Sequence, residues 1–272
     1  MKIEYIDTRT QDSLKQGVME FLNLTEDEME QIFEAIYRNN EKNSCEWVEN
    51  FLACCSIDKT PKCIQMFHLS RRLNGADLCA NSNLKQLLLE ESPISLFFEK
   101  HNVTFKEGEG HIDMFYKGKL EPLDDEYKYS NGNMYYMRSR LGYNDDKDYC
   151  VNGFAFRSHL EECYYFRPLS KCPEFVQNME RLLNITGMVS DYYDNSTYYC
   201  IEYLVPLEEV IFDVKNPLRT ARDKTIELLK WSIIRLYDDW RKSSFTDDEN
   251  LRLRLSDSAI IKPEWFIGGE EV

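Results

Sequence analysis

The stretch from Tyr198 to Asp213, YYCIEYLVPLEEVIFD, constrains this chain more than any other. Its apolar and β-branched residues Ile201, Leu204, Val205, Val210, Ile211 and Phe212 predict one long buried strand, or two strands joined at Pro206. Such a strand needs neighbours to pair with and a layer to cover it. Glu202 interrupts it. A carboxylate is costly to bury unless it is paired, hydrogen-bonded or turned to a cleft, so its place in mid-strand calls for a partner or a task.

Around this strand the periodicities change along the chain. Residues 10 to about 57 read as helices: Leu14, Val18, Phe21 and Leu22 make one apolar stripe, and Thr25 with Glu28 forms a capping box, stapled by Leu24 and Met29. Met29, Ile32, Phe33 and Ile36 make the next buried face, and CEWVENFLACC after Asn43 and Ser44 a third helix. KCIQMFHLSRRL predicts a strand running into a turn, Leu84–Leu89 a helix, and Ser92 with Pro93 the start of another that Asn102 ends. Short strands follow at VTF and HIDMFYKG. PLDDEYKYSNGNMYYM reads as an exposed mobile loop, with Arg138 and Arg140 beside it on a charged surface strand or a local anion site. YCVNGFAF predicts a strand with a glycine bend, Glu161–Phe166 its continuation, and CPEFVQNMERLLN a helix. Arg219–Trp240 is the longest helical pattern. LRLRLSDSAIIKPEWF alternates like a strand before a short tail with Gly268 and Gly269. Helices, then mixed short elements, then a helix and a strand give an α+β class without βαβα alternation. The expected organisation is a helical N-terminal cap over residues 1–60, a central mixed sheet over 61–215, and a C-terminal helix and strand over 216–272 packed on it.

Composition excludes several functions. The net charge is −15, and residues 1–60 alone carry −7, from 6 Lys and Arg against 13 Asp and Glu. An acidic surface repels phosphate backbones, which disfavours indiscriminate nucleic-acid binding. No apolar run approaches the length of a membrane span, and MKIEYIDTRT lacks the sections of a signal peptide. Nine cysteines, odd in number and without a CxxC pair, fit reduced thiols in a cytoplasm. Dinucleotide-binding GxGxxG, P-loop, GxSxG and HExxH signatures are missing. Cys45, Cys54, Cys55, Cys63, His68 and Cys79 have the atoms for zinc but not the paired spacing, so no metal is expected.

Two stretches combine into something more specific. In FHLSRR, His68 and Ser70 sit two apart on an extended strand and share a face, with Arg71 following. Far along the chain, IEYLVP carries Glu202, Val205 and Pro206. Together these motifs resemble the ADP-ribosyltransferase family, in its His and Glu branch found in microbial toxins and defence systems; where that family has His-Gly-Thr or His-x-Thr, this chain has His-Leu-Ser. The resemblance implies an intracellular enzyme that cleaves NAD and passes ADP-ribose to an acceptor the sequence does not name. It makes Glu202 the catalytic carboxylate, opposite an oxocarbenium-like centre. It gives His68 and Ser70 the ribose and amide, Arg71 the pyrophosphate, and Tyr164 or Tyr165 the nicotinamide ring.

Two other classes stand beside it. A non-enzymatic interaction module would bind a protein partner through the acidic N-terminal helices, and a nuclease-like effector would need a metal-binding carboxylate set.

Overall fold

The computed structural model describes residues 4–39, 44–79, 81–123, 132–145, 147–243 and 250–272. The class is α+β, with antiparallel pairing in its sheets. The strands form a six-stranded sheet in the order β7 (Ile211–Phe212), β8 (Arg252–Arg254), β5 (Asn152–Phe154), β1 (Cys63–Leu73), β6 (Ser196–Pro206) and β9 (Phe266–Glu271), and a three-stranded sheet of β2 (Val103–Glu107), β3 (Ile112–Tyr116) and β4 (Lys119–Leu120). The chain divides into two compact units, each made of three segments. Unit one comprises Met1–Phe67, Asn152–Tyr164 and Glu202–Arg254; unit two comprises His68–Val151, Tyr165–Ile201 and Leu255–Val272. The boundaries of 60 and 215 expected above describe the order of elements along the chain, whereas the compact units interleave segments.

In unit one, helices α1 (Gln11–Leu22), α2 (Glu26–Arg38), α3 (Ser44–Cys54) and α10 (Ala221–Trp240) form where the sequence supplies caps and stripes. Thr25 and Glu28 make the expected capping box, and Thr10 with Ser13 and Thr220 with Asp223 add two more. Leu14, Val18, Phe21, Met29, Ile32, Phe33 and Ile36 are buried, so the apolar faces of the first two helices are spent on packing. Phe33 meets Tyr237 and Trp240 of α10 at ring-centroid distances of 6.3 and 5.9 Å. Two cations lie inside. Arg235, 1% exposed, donates to the Ser158 carbonyl at 2.6 Å. Lys230 contacts Glu227 at 2.8 Å and Glu49 at 3.1 Å; burial pulls its ammonium down, and the two carboxylates more than restore it.

Strand β5 (Asn152–Phe154) pairs with β1 at Phe67 and, on its other edge, with β8 (Arg252–Arg254), which pairs with β7 (Ile211–Phe212). Gly153 is required here: a Cβ would stand 2.7 Å from the Phe67 carbonyl oxygen.

Two strands run through both units, β1 (Cys63–Leu73) and β6 (Ser196–Pro206). They are antiparallel. In unit one the Leu207 N–H donates to the Lys62 carbonyl, and in unit two the Asn74 N–H donates to the Asn195 carbonyl. Burial along β6 follows Ser196, Tyr198 and Cys200, then shifts by one residue to Ile201, Tyr203 and Val205. The shift falls where the chain passes from one unit to the other, and it leaves Glu202 on the less buried side. The reading of two strands joined at Pro206 holds, with β7 following a turn at 207–209.

Unit two has its own core. Helices α4 (Leu84–Leu89), α5 (Pro93–Lys100), α6 (Gly132–Arg140), α7 (Phe166–Lys171), α8 (Glu174–Leu183) and α9 (Met188–Asp194) join the meander β2 (Val103–Glu107), β3 (Ile112–Tyr116) and β4 (Lys119–Leu120) around Phe98, Val103, Ile112, Met114, Met137, Phe175 and Met179. Lys117 and Gly118, both at positive φ, turn β3 into β4.

Several expectations are corrected. Of the stretch read as a mobile loop, 124–131 lie outside the described residues, and from Gly132 the chain is helical, because Met134 and Met137 are drawn into the core. Arg138 and Arg140 therefore stand on α6 and not on a surface strand. Arg138 is buried, bonded to the Leu123 carbonyl and to Asn144 at 3.2 Å, and Arg140 pairs with Asp148 at 3.3 Å. Residues 160–166 form a 3-10 turn (Leu160–Glu162) and the first residue of α7 instead of a strand. The tail is a strand, β9 (Phe266–Glu271), tied to β6 by a bond from the Val272 N–H to the Tyr198 carbonyl. None of the nine cysteines forms a disulfide. Among the described residues no helix is long and apolar enough to cross a membrane.

Candidate functional site

The carboxylate that opened the sequence reading is held in unit one. Arg9, just before α1, donates from Nε to both oxygens of Glu202 at 3.0 Å and from Nη2 to Oε1 at 2.8 Å. Gln65 of β1 adds its Nε2 to the same Oε1 at 2.8 Å. Gln65 is itself fixed, since its Oε1 accepts from the Thr8 N–H at 2.6 Å and from the Thr8 hydroxyl at 3.1 Å. The hydrogen bond with Glu202 holds the Arg9 guanidinium even more firmly charged than usual. Glu202 is 16% exposed in its side chain and Arg9 41%, so the pair is half-buried and reachable from the Arg9 side. It is an oriented, charge-balanced carboxylate, with Oε1 taking three donors and Oε2 one.

Strand geometry decides what shares that neighbourhood. Gln65 and His68 are three apart on β1, so their side chains leave opposite faces of the strand; His68 and Ser70 share the second face. Glu202 reaches the Gln65 face. The side chains that bond it are Arg9 and Gln65, with Thr8 behind Gln65, and none of the three belongs to FHLSRR or IEYLVP.

In unit two the end of β1 builds a different place. Ser70, Arg71 and Arg72 line a cavity of about 220 Å³ with Leu73, Leu84, Ile94, Phe175, Val176 and Tyr192 among its walls. Ser70 and Arg71, expected to hold a cofactor, are brought together here. Arg71 is heavily engaged: Nε donates to the Ser196 hydroxyl at 2.8 Å, Nη1 to the Ser170 carbonyl at 2.5 Å, and Nη2 to the Tyr193 and Ser196 carbonyls at 3.0 and 2.7 Å. Its guanidinium also lies 4.2 Å from the Tyr193 ring centroid. Arg72 donates to Asn81. Tyr192 seals one wall, its ring edge-on to Phe97 at 5.1 Å and its hydroxyl donating to the Arg71 carbonyl at 2.8 Å. Burial raises both the Tyr192 phenol and the Cys172 thiol nearby, the latter to about 12, so neither offers a nucleophile.

Tyr164 and Tyr165 are 71% and 42% exposed and do not line this cavity; the aromatic walls are Phe175 and Tyr192. The sequence hid those walls, because Phe175 reads as an ordinary buried helix residue and Tyr192 as half of a doublet. For a cation, one group among the described residues comes close enough, Asp148, Cys150 and Asp257. Asp148 is already paired with Arg140 at 3.3 Å, and Asp257 accepts the Tyr149 N–H at 2.8 Å, so its charge is partly spent on the fold.

Neither a protein-family model, nor a curated protein, nor a solved structure matches the chain.

Proposed function

We propose that the protein binds a small molecule in the cavity of unit two. The observation that carries this reading is the lining itself: the polar end of β1, with Ser70 and Arg71, opens onto aliphatic and aromatic walls in one partly open pocket. Apolar walls with a few convergent polar groups are the usual form of a ligand site. A ligand at 100 times its Kd would add about 2.7 kcal/mol to the folded state, a rise of several degrees in melting temperature. The test is a thermal-shift screen of small organic fragments. Ligands that stabilise the natural protein are expected to lose that effect in Ala76→Leu, which places a larger side chain in the lining; hits that act equally on both proteins would reject the site.

A second reading is favoured by the sheet order, in which the strands bearing FHLSRR and IEYLVP are neighbours. In that reading the protein is an ADP-ribosyltransferase-like enzyme that cleaves NAD, and Glu202, oriented by Arg9 and Gln65, stabilises the oxocarbenium-like centre. Incubation with NAD should release nicotinamide, and Glu202→Gln should lower the rate by about a hundredfold or more. Equal turnover in the two proteins removes Glu202 from the chemistry.

A further inference from the structure

We propose that the unit-two cavity selects a neutral, mainly apolar molecule of one or two rings, or a compact aliphatic one, carrying a single hydroxyl or carbonyl, and that it turns away phosphorylated ligands. This rests on the reading that the cavity is a ligand site. Two arginines at the cavity would ordinarily point to an anion. Here the guanidinium of Arg71 has committed four of its five N–H groups to Ser170, Tyr193 and Ser196, with its face against the Tyr193 ring. Withdrawing it to meet a phosphate would orphan carbonyls at the C-terminal side of α7, at the end of α9 and at the start of β6. Arg72 donates to Asn81, and Asp77, also in the lining, sets a negative charge against those of the two guanidinium groups.

Beside these charged groups the lining offers a ligand a neutral hydroxyl and apolar walls. Ser70 supplies a group that both donates and accepts. Leu73, Leu84, Leu87, Ile94, Phe175 and Val176 supply the rest. Size gives a second limit. A dry cavity of about 150 Å³ admits benzene, whereas drug-sized ligands occupy about 300 Å³ or more. At about 220 Å³ this one falls between, which suits a phenol or an indole.

The experiment titrates the full-length protein separately with phenol, indole, benzene, AMP and inorganic phosphate, followed by ligand-observed NMR and calorimetry. Phenol and indole are expected to bind, and neither AMP nor phosphate to displace them. Ser70→Ala should weaken phenol about fivefold and leave benzene unchanged, since only phenol uses the hydroxyl. Circular dichroism and the melting temperature of the variant check that it is folded. Displacement of indole by AMP or phosphate would overturn the selectivity while leaving the cavity as a ligand site. Failure of all five probes to bind would overturn the ligand site itself. An equal response of phenol and benzene to Ser70→Ala would remove Ser70 as the polar anchor and overturn the requirement for a hydroxyl or carbonyl.

Discussion

Arg71 shows how a residue with the right chemistry for one task can be consumed by another. FHLSRR displays its guanidinium, but not the groups it bonds, which lie about a hundred positions away in the sequence at Ser170, Tyr193 and Ser196. A donor is legible locally; its acceptors are supplied by the fold. The same holds for Glu202, whose mid-strand position announced the need for a partner while Arg9 stayed hidden among the residues before α1. Arg71→Ala should cost about 2–4 kcal/mol, because it strands several carbonyls as well as losing charge-assisted bonds. Arg71→Lys should recover little of that, since a point ammonium cannot span the forked geometry. Urea denaturation midpoints measure both, and a variant as stable as the natural protein would show that the carbonyls find other donors.

Elements were legible in proportion to how far local pattern set them. The caps at Thr25 and Ser92 and the stripe of α10 could be read directly, because each is satisfied within a few residues. The short α6, α9 and β9 could not, since residues such as Met137, Tyr192 and Ile267 take their conformation from what they pack against or pair with. α9 is tied to α5 by charge. Asp191 accepts from Lys100 at 3.0 Å and from His101 at 2.9 Å, and these bonds hold its carboxyl below the usual range. A carboxylate with a depressed folded pKa contributes stability that is present above its unfolded value, near 3.9, and is lost as pH falls through the lower folded value. The stability difference between the natural protein and Asp191→Asn should therefore be present above the unfolded carboxyl value and shrink as the pH falls through the lower folded one. Chemical denaturation across that range checks it; a difference that persists at the acid end would place the contribution elsewhere.

At the scale of the whole molecule, the α+β class followed from the mixture of periodicities, which is a local property summed along the chain. The grouping into units did not, because each unit gathers three separated segments and no composition shift marks where they meet. The nearest thing to a signal lies in β6, where apolar residues on successive positions, Cys200 and Ile201, break strict alternation at the crossing. Read as a sequence, that run suggested one long buried strand or two strands joined at Pro206. In the folded chain it is one strand whose inward side changes partway along.

Because β1 and β6 each begin in one unit and finish in the other, no single cut in the polypeptide releases either unit whole. A gene crossover anywhere between these strands would hand its descendant two fragments with torn edges.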